Sequence, residues 1–263
     1  MVGARAFGVV RRVQTACAAL ALAVGSMASA AVAADTKEPE VGTAVLIKKT
    51  VTGTLGTGER QLEAGVRVRR NELVRTGPQA QAELKLDDNT KLALGPDAEL
   101  RLDEYAVGTG NDAKSIGLKL LKGTLRFLTG NNASESYKIE TPSATIGVRG
   151  TVFDVYIGPS GDTFVLLHKG EVEVCSQTRS CRPHRNRGRV VQATALGVVS
   201  QPMKWTANLV RGVGVAQAFP FVGQRLVIDP VRRLTHKSIT GDVKALEEGG
   251  RTIERTLRKI SPF

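Results

Sequence analysis

Two spaced cysteines, a glycine–arginine segment, a run of arginines and scattered acids and histidines are the residues whose types and spacing could do chemistry in this 263-residue chain. Cys175 and Cys181 stand with five residues between them, and Cys17 falls in an apolar stretch near the start. If Cys17 leaves with a leader, an even pair remains, which in an exported chain suggests one disulfide closing a β-hairpin. A zinc site needs four ligands. His184 lies nearby, but it brings the count only to three. Gly147-Val148-Arg149-Gly150-Thr151 is a second candidate. Gly-rich sequence cradles a phosphate when it opens a helix. Here it joins two β-patterned stretches, so a structural role is expected. Gly147 and Gly150 mark a bulge or close approach, and Arg149 could bond carbonyls of neighbouring turns. Direct contact of Gly147, Arg149, Gly150 and Thr151 with a partner is the alternative.

Catalytic signals are weak. His168 sits before Gly170 at an expected strand end, where a solvated imidazole is the ordinary outcome. No Gly-x-Ser-x-Gly nucleophile turn occurs. Asp87, Asp88, Asp97, Asp103 and Glu104 fall in or near turns, where acids are solvated or cap backbone groups. A glycan-cleaving pair among them is the enzymatic alternative. Asp87-Asp88-Asn89 lacks the spacing of a calcium loop. We therefore assign no catalytic residue, no metal and no cofactor. Arg182, Arg185, Arg187 and Arg189 form a basic run suited to an anionic partner. Nucleic acid is the reflex reading of such a run. Export and the scarcity of aromatic residues, 4% of the chain, argue against it. An acidic envelope protein, an anionic lipid or a glycan fits better.

The elements that must hold these residues are short strands. Ala82, Leu84 and Leu86 alternate with Glu83 and Lys85, and the same period of two recurs at Leu92 and Leu94 and at Leu100 and Leu102. It returns at Leu118 and Leu120, Leu125 and Phe127, Tyr137 and Ile139, Ile146 and Val148, Phe153 and Val155, Val165 and Leu167, and Val172 and Val174. Turns are expected at Asp87-Asp88-Asn89, Gly95-Pro96-Asp97, Gly108 to Asp112, Lys122-Gly123, Gly130-Asn131-Asn132 and Gly158 to Gly161, with breaks at Gly150 and Gly170. This predicts an all-β body, a compact sandwich or short solenoid. Arg5, Arg11 and Arg12 precede an apolar stretch from Val13 to Val24 and an Ala31-Val32-Ala33 cleavage site, the order of a secretory signal peptide. An uncleaved membrane anchor is the alternative, and both leave the body outside the cytoplasm. Charge is segregated: the net is +3 over 1–33, −2 over 34–178 and +11 over 179–263. Residues 240–260 read as an amphipathic helix with Val243, Leu246, Ile253, Leu257 and Ile260 on one seam. That helix could dock on the body, on a partner or on a membrane surface.

Asn71-Glu72-Leu73-Val74-Arg75-Thr76-Gly77, Leu120-Leu121-Lys122-Gly123-Thr124-Leu125-Arg126-Phe127, Ile139-Glu140-Thr141-Pro142-Ser143-Ala144-Thr145-Ile146-Gly147-Val148-Arg149-Gly150-Thr151-Val152-Phe153 and Gly170-Glu171-Val172-Glu173-Val174 follow in order. This order resembles the FecR domain, a periplasmic module. The resemblance implies an all-β sandwich or short solenoid over roughly 65–200, and signal transfer from a periplasmic partner to a cytoplasmic anti-sigma segment. Only twelve residues precede the apolar stretch, too few for that segment. The expectation is thus a stand-alone exported binding or regulatory module. Its plan is a signal peptide at 1–33, a partly β lead-in at 34–64, the β domain at 65–200, an irregular basic extension at 201–239, and the helix and tail at 240–263. A structural or adhesive envelope protein is a further alternative.

Overall fold

The computed structural model describes residues 38–107, 113–131, 137–206, 208–231 and 233–240, with the backbone alone for 104–107, 113–116 and 149. The expected signal peptide and the expected helix beyond Thr240 lie outside the described residues. The body is all-β. Its strands are β1 (Glu40–Lys48), β2 (Val51–Leu55), β3 (Gly58–Gln61), β4 (Arg67–Arg69), β5 (Leu73–Thr76), β6 (Gln81–Leu86) and β7 (Lys91–Leu94). They continue with β8 (Glu99–Val107), β9 (Ala113–Leu128), β10 (Tyr137–Glu140), β11 (Ala144–Ile157), β12 (Thr163–Ser176), β13 (Cys181–His184) and β14 (Val190–Ala193). Two single-turn helices follow, α1 (Val215–Ala218) and α2 (His236–Ile239).

All fourteen strands share one hydrogen-bonded sheet. Its main path runs β13-β12-β11-β10-β9-β7-β6-β1-β4, with β8, β5, β2 and β3 branching from β9. Pairing is antiparallel except between β10 and β9. The sheet curls around a single core. Leu84, Leu92, Leu94, Leu100, Leu120, Leu125, Phe127, Ile139, Ile146, Phe153, Val155, Val165, Leu167, Val172 and Val174 all have no exposed surface there. Each is an inward position of a period-two pattern, and each such burial stabilises by roughly 1.5–3 kcal/mol.

Three glycines read as turns or breaks are instead bends inside long strands. Lys122-Gly123 lies within the 16-residue β9, Gly150 within the 14-residue β11 and Gly170 within the 14-residue β12. Their φ values are 79°, 57° and 85°. Through its bend β9 exchanges partners, pairing β8 and β10 before Gly123 and β7 and β11 from it onward. In the β11–β12 ladder Arg149 faces Glu171 and Val152 faces Lys169, so β11 carries one extra residue at Gly150-Thr151. A bulge adds local twist and bend, which is how one sheet curls back on itself.

Beyond Ser200 the described residues, up to Thr240, form a C-terminal wrap laid over the outer face of the sheet. Trp205, Val210, Val213, Ala218, Phe219, Val222, Leu234 and Ile239 pack on Tyr156, Phe164, Leu166 and Val190. Phe221, Leu226 and Ile228 pack on Ala93, Leu128 and Val152. Backbone polar groups of the wrap are bonded to the sheet as well: Thr124 Oγ1 donates to Ala218 O (2.9 Å), and Ile228 N donates to the buried carboxylate of Glu83 (2.9 Å).

Candidate functional site

Alternation places Arg126, Asp154 and His168 on the outer face of β9, β11 and β12, beside one another on adjacent strands. The wrap closes over them. Arg126 donates from Nε and Nη2 to the two oxygens of Asp154 at 2.6 and 2.8 Å. His168 Nε2 stands 3.0 Å from Asp154 Oδ2, and Arg126 Nη1 donates to Phe221 O at 3.1 Å. The Phe221 ring stacks over the guanidinium, 5.7 Å from its carbon to the ring centre. Burial opposes ionisation of Asp154, but the charge of Arg126 and then that of His168 outweigh it, so the carboxyl lies far below its usual range. Burial likewise opposes the charge on Arg126, and the charge and hydrogen bonds of Asp154 overcome it and raise its pKa. The expectation of a solvated His168 is therefore corrected: the residue is 2% exposed. Period two gave its face, but only the distant wrap shows that the face is covered.

The glycine–arginine segment forms the β11 bulge. The backbone of Gly147 pairs with Glu173 and that of Arg149 with Glu171; the Arg149 side chain lies outside the described residues. A Cβ on Gly170 would lie 2.5 Å from Gly150 O, so the two bends cross in close contact. Thr151 N donates to Thr129 Oγ1 (2.8 Å), and Thr129 N donates to Thr151 O (3.0 Å). In the turn between β10 and β11, Thr141 and Ser143 form a buried hydroxyl chain with Thr163, the first residue of β12, with 2.7 Å links, ending on Ala193 O.

Cys175 and Cys181 are disulfide-bonded directly across the β12–β13 hairpin. Arg182 is half-buried on β13. Arg185 is exposed and pairs with Glu171 at 2.6 Å. Arg187 Nη2 donates to Arg233 O at 2.6 Å, which joins the arginine loop to the wrap. Arg189 is half-buried, its backbone O 3.1 Å from the His184 ring. Gly188 packs beside Leu234 and Ile239. The loop thus lies against α2, which adds Lys237, and between Ser176 and Thr240 the chain holds eleven Lys and Arg against the single acid Asp229.

Of the acids singled out above, Asp87 pairs with Arg67 at 2.6 Å, Asp103 with Lys119, and Asp88 is buried on Thr90 and Tyr137. The Glu104 side chain lies outside the described residues. Asp97 stands instead at the mouth of a groove of about 900 Å³ at one end of the sheet. Five of the chain's ten prolines line it: Pro78, Pro96, Pro142, Pro159 and Pro220, with Tyr156 among them. Sequence reading missed this groove, although its signal was visible as an X-Pro pair at each of five turns. No group of three or more metal-ligating side chains stands together among the described residues.

Residues 72–173 match the family model described as FecR protein. These residues form a FecR-family domain. β5 to β12 make up most of it, so the buried charge cluster and the bulge belong to the FecR domain, whereas the wrap and most of the arginine face lie after it. No curated protein matches the chain. Two crystal structures of a candidate anti-sigma factor from Parabacteroides distasonis ATCC 8503 are similar at 17% identity and a TM-score of 0.40, covering 50% of this chain. This chain spans 59% of that protein's length.

Proposed function

We propose that the chain is a non-enzymatic binding and regulatory module of the cell envelope, exported by its N-terminal leader, whose arginine face meets an anionic partner. The FecR domain over residues 72–173 is the observation that carries this reading. The buried cluster supports it: Asp154 and His168 form the kind of pair that could move protons, yet their side chains are 0% and 1% exposed beneath the wrap. A group that no substrate reaches is a structural group. Loop 185–189 and α2, far apart in sequence, come together as one surface with a strong positive excess, and such a surface attracts anions at long range. The partner is an acidic envelope protein, an anionic lipid or a glycan.

The test is capture of the mature protein on vesicles with and without anionic lipid, and by envelope fractions, over a salt series. Screening length shrinks from about 10 Å at 0.1 M to about 3 Å at 1 M, so capture should fall steeply, and Arg187→Glu with Lys237→Glu should abolish it. Indifference to anionic vesicles and to envelope fractions at low salt would refute the anionic-partner reading. One observation favours the enzymatic alternative, a glycan-active enzyme: Asp97 and Glu99 both line the groove. Asp97 is exposed and Glu99 pairs with Arg75 at 3.7 Å, whereas a general acid relies on burial to hold its proton. Hydrolysis of an envelope glycan that disappears in Asp97→Asn would establish that alternative.

A further inference from the structure

We propose that the arginine face is a membrane-contact surface: it lies on the anionic headgroups of a bilayer, with Val231 at the boundary of headgroups and acyl chains. This rests on the reading of the chain as a binding module with an anionic partner, and it names that partner as lipid. The face is built from two stretches far apart in sequence. Loop 185–189 follows β13, and residues 230–238 of the wrap lie against it through the bond from Arg187 Nη2 to Arg233 O and the packing of Gly188 beside Leu234. Arg185, Arg187 and Lys237 are exposed there. Nearby acids do not offset them all. Glu171 matches Arg185. Asp229 is 2% exposed and is held by Arg233 at 3.0 and 3.2 Å. Glu173 stands opposite Pro183, toward the disulfide. Arg187 and Lys237 meet no acid among the described residues. Into this positive field the wrap puts apolar side chains. Val231 is 53% exposed two residues before Arg233, and Val227 is 60% exposed on the turn closed by Leu226 N donating to Asp229 O.

What the face lacks separates lipid from the other anionic partners. Every aromatic side chain among the described residues is buried. The core of a protein interface is depleted of charge and enriched in aromatic residues, and a sugar ring stacks on an open aromatic face. A bilayer asks for neither. It asks for cations that reach phosphates and for apolar side chains that enter beneath them, and this face offers both. The path of the chain points the same way. At Thr240, the C-cap of α2, it leaves the described residues from this face. The sequence beyond carries Val243, Leu246, Ile253, Leu257 and Ile260 on one seam. The affinity of such an amphipathic stretch for a membrane grows with its apolar area and with attraction to anionic lipid, so face and tail act on one surface. Because the loop belongs to the hairpin and Val231 to the wrap, the contact is assembled only when the wrap is docked.

The probe is the full mature protein with vesicles of phosphatidylcholine, alone and mixed with phosphatidylglycerol. We expect binding to the mixed vesicles only. Lys237→Gln should weaken it about fivefold, the share of one cation near an anionic surface. The melting temperature should not change, because Lys237 is exposed. Val231→Trp puts an emitter at the proposed contact while Trp205 stays buried. Its emission should shift to shorter wavelength on the mixed vesicles and be quenched by lipids brominated in their acyl chains, whereas emission of the parent should change little. Binding to mixed vesicles without that shift and quenching would overturn the proposal. So would indifference to the vesicles beside salt-sensitive capture by envelope fractions that protease or glycan digestion removes. That result would leave the anionic-partner reading standing, with a protein or a glycan as the partner. Indifference to vesicles and fractions alike would sink both.

Discussion

Arg126, Asp154 and His168 occupy positions where an outer sheet face would normally meet water, and their energetics follow from losing it. Removing one member of a buried ion pair strands the other, at a cost of about 3–5 kcal/mol. Asp154→Ala should therefore lower the melting temperature by roughly 10 °C, given a few degrees per kcal/mol in a domain of this size. Replacing all three residues together by Met, Leu and Phe should recover most of that loss, because no charge is then left unpaired; calorimetry of both variants checks this. Acid acts in the same direction at two sites. Burial lowers the pKa of His184, partly offset by its bond to the Arg189 carbonyl. The unfolded chain therefore takes up a proton there as the pH falls past about 6.5 while the folded chain resists it, so stability drops. Asp154, with its depressed native value, contributes stability that is complete above about pH 4 and is lost as the pH falls below that, toward its native pKa. Urea titrations should show a first loss between pH 7 and 5.5 and a second below pH 4. The faces of these residues were legible from alternation alone. Their burial was not, because the groups that cover them lie some fifty to a hundred positions further along the chain.

At the scale of elements the glycines decide the shape. Alternation correctly placed the inward residues on either side of Gly123, Gly150 and Gly170, but a glycine between two β patterns reads equally as a reversal or a bend. Only the ladder resolves the two, since one extra residue at Gly150-Thr151 keeps β11 paired with β12 on both sides. Gly150→Val should lower the melting temperature, because a β-branched residue disfavours φ 57°. Binding at the arginine face should fall only in proportion to unfolding, and a variant that melts like the parent but no longer binds would mark the bulge as a contact. The disulfide hairpin was legible as a spacing, whereas β13 itself was not, for Arg182, Pro183 and His184 carry no β signal. Reducing the Cys175–Cys181 bond should cost about 2 kcal/mol, as expected for so short a loop, and chemical denaturation with and without reductant measures it.

For the whole molecule, the wrap makes the FecR domain depend on residues outside it. A chain ending at Ser200 leaves Tyr156, Phe164, Leu166 and the Arg126–Asp154 pair open to water, and should be insoluble or molten by near-UV circular dichroism. The all-β class was legible because inward residues repeat at two over most of the body. The wrap was not, because Trp205, Phe219, Phe221 and Ile239 follow no period and bury themselves through irregular backbone.

Trp205 is the sole tryptophan of the chain, and it sits in the wrap with 2% exposure. The molecule thus carries one tryptophan emitter, placed on a segment that is synthesised after β1 to β14. Strand pairing can proceed before that segment exists, leaving an intermediate with an uncovered aromatic face, the kind of species that recruits chaperones and aggregates. Refolding followed by far-ultraviolet circular dichroism should therefore run ahead of refolding followed by tryptophan emission, and a hydrophobic dye should bind in the interval. Coincident traces with no dye signal would mean that the wrap and the sheet assemble in one cooperative step.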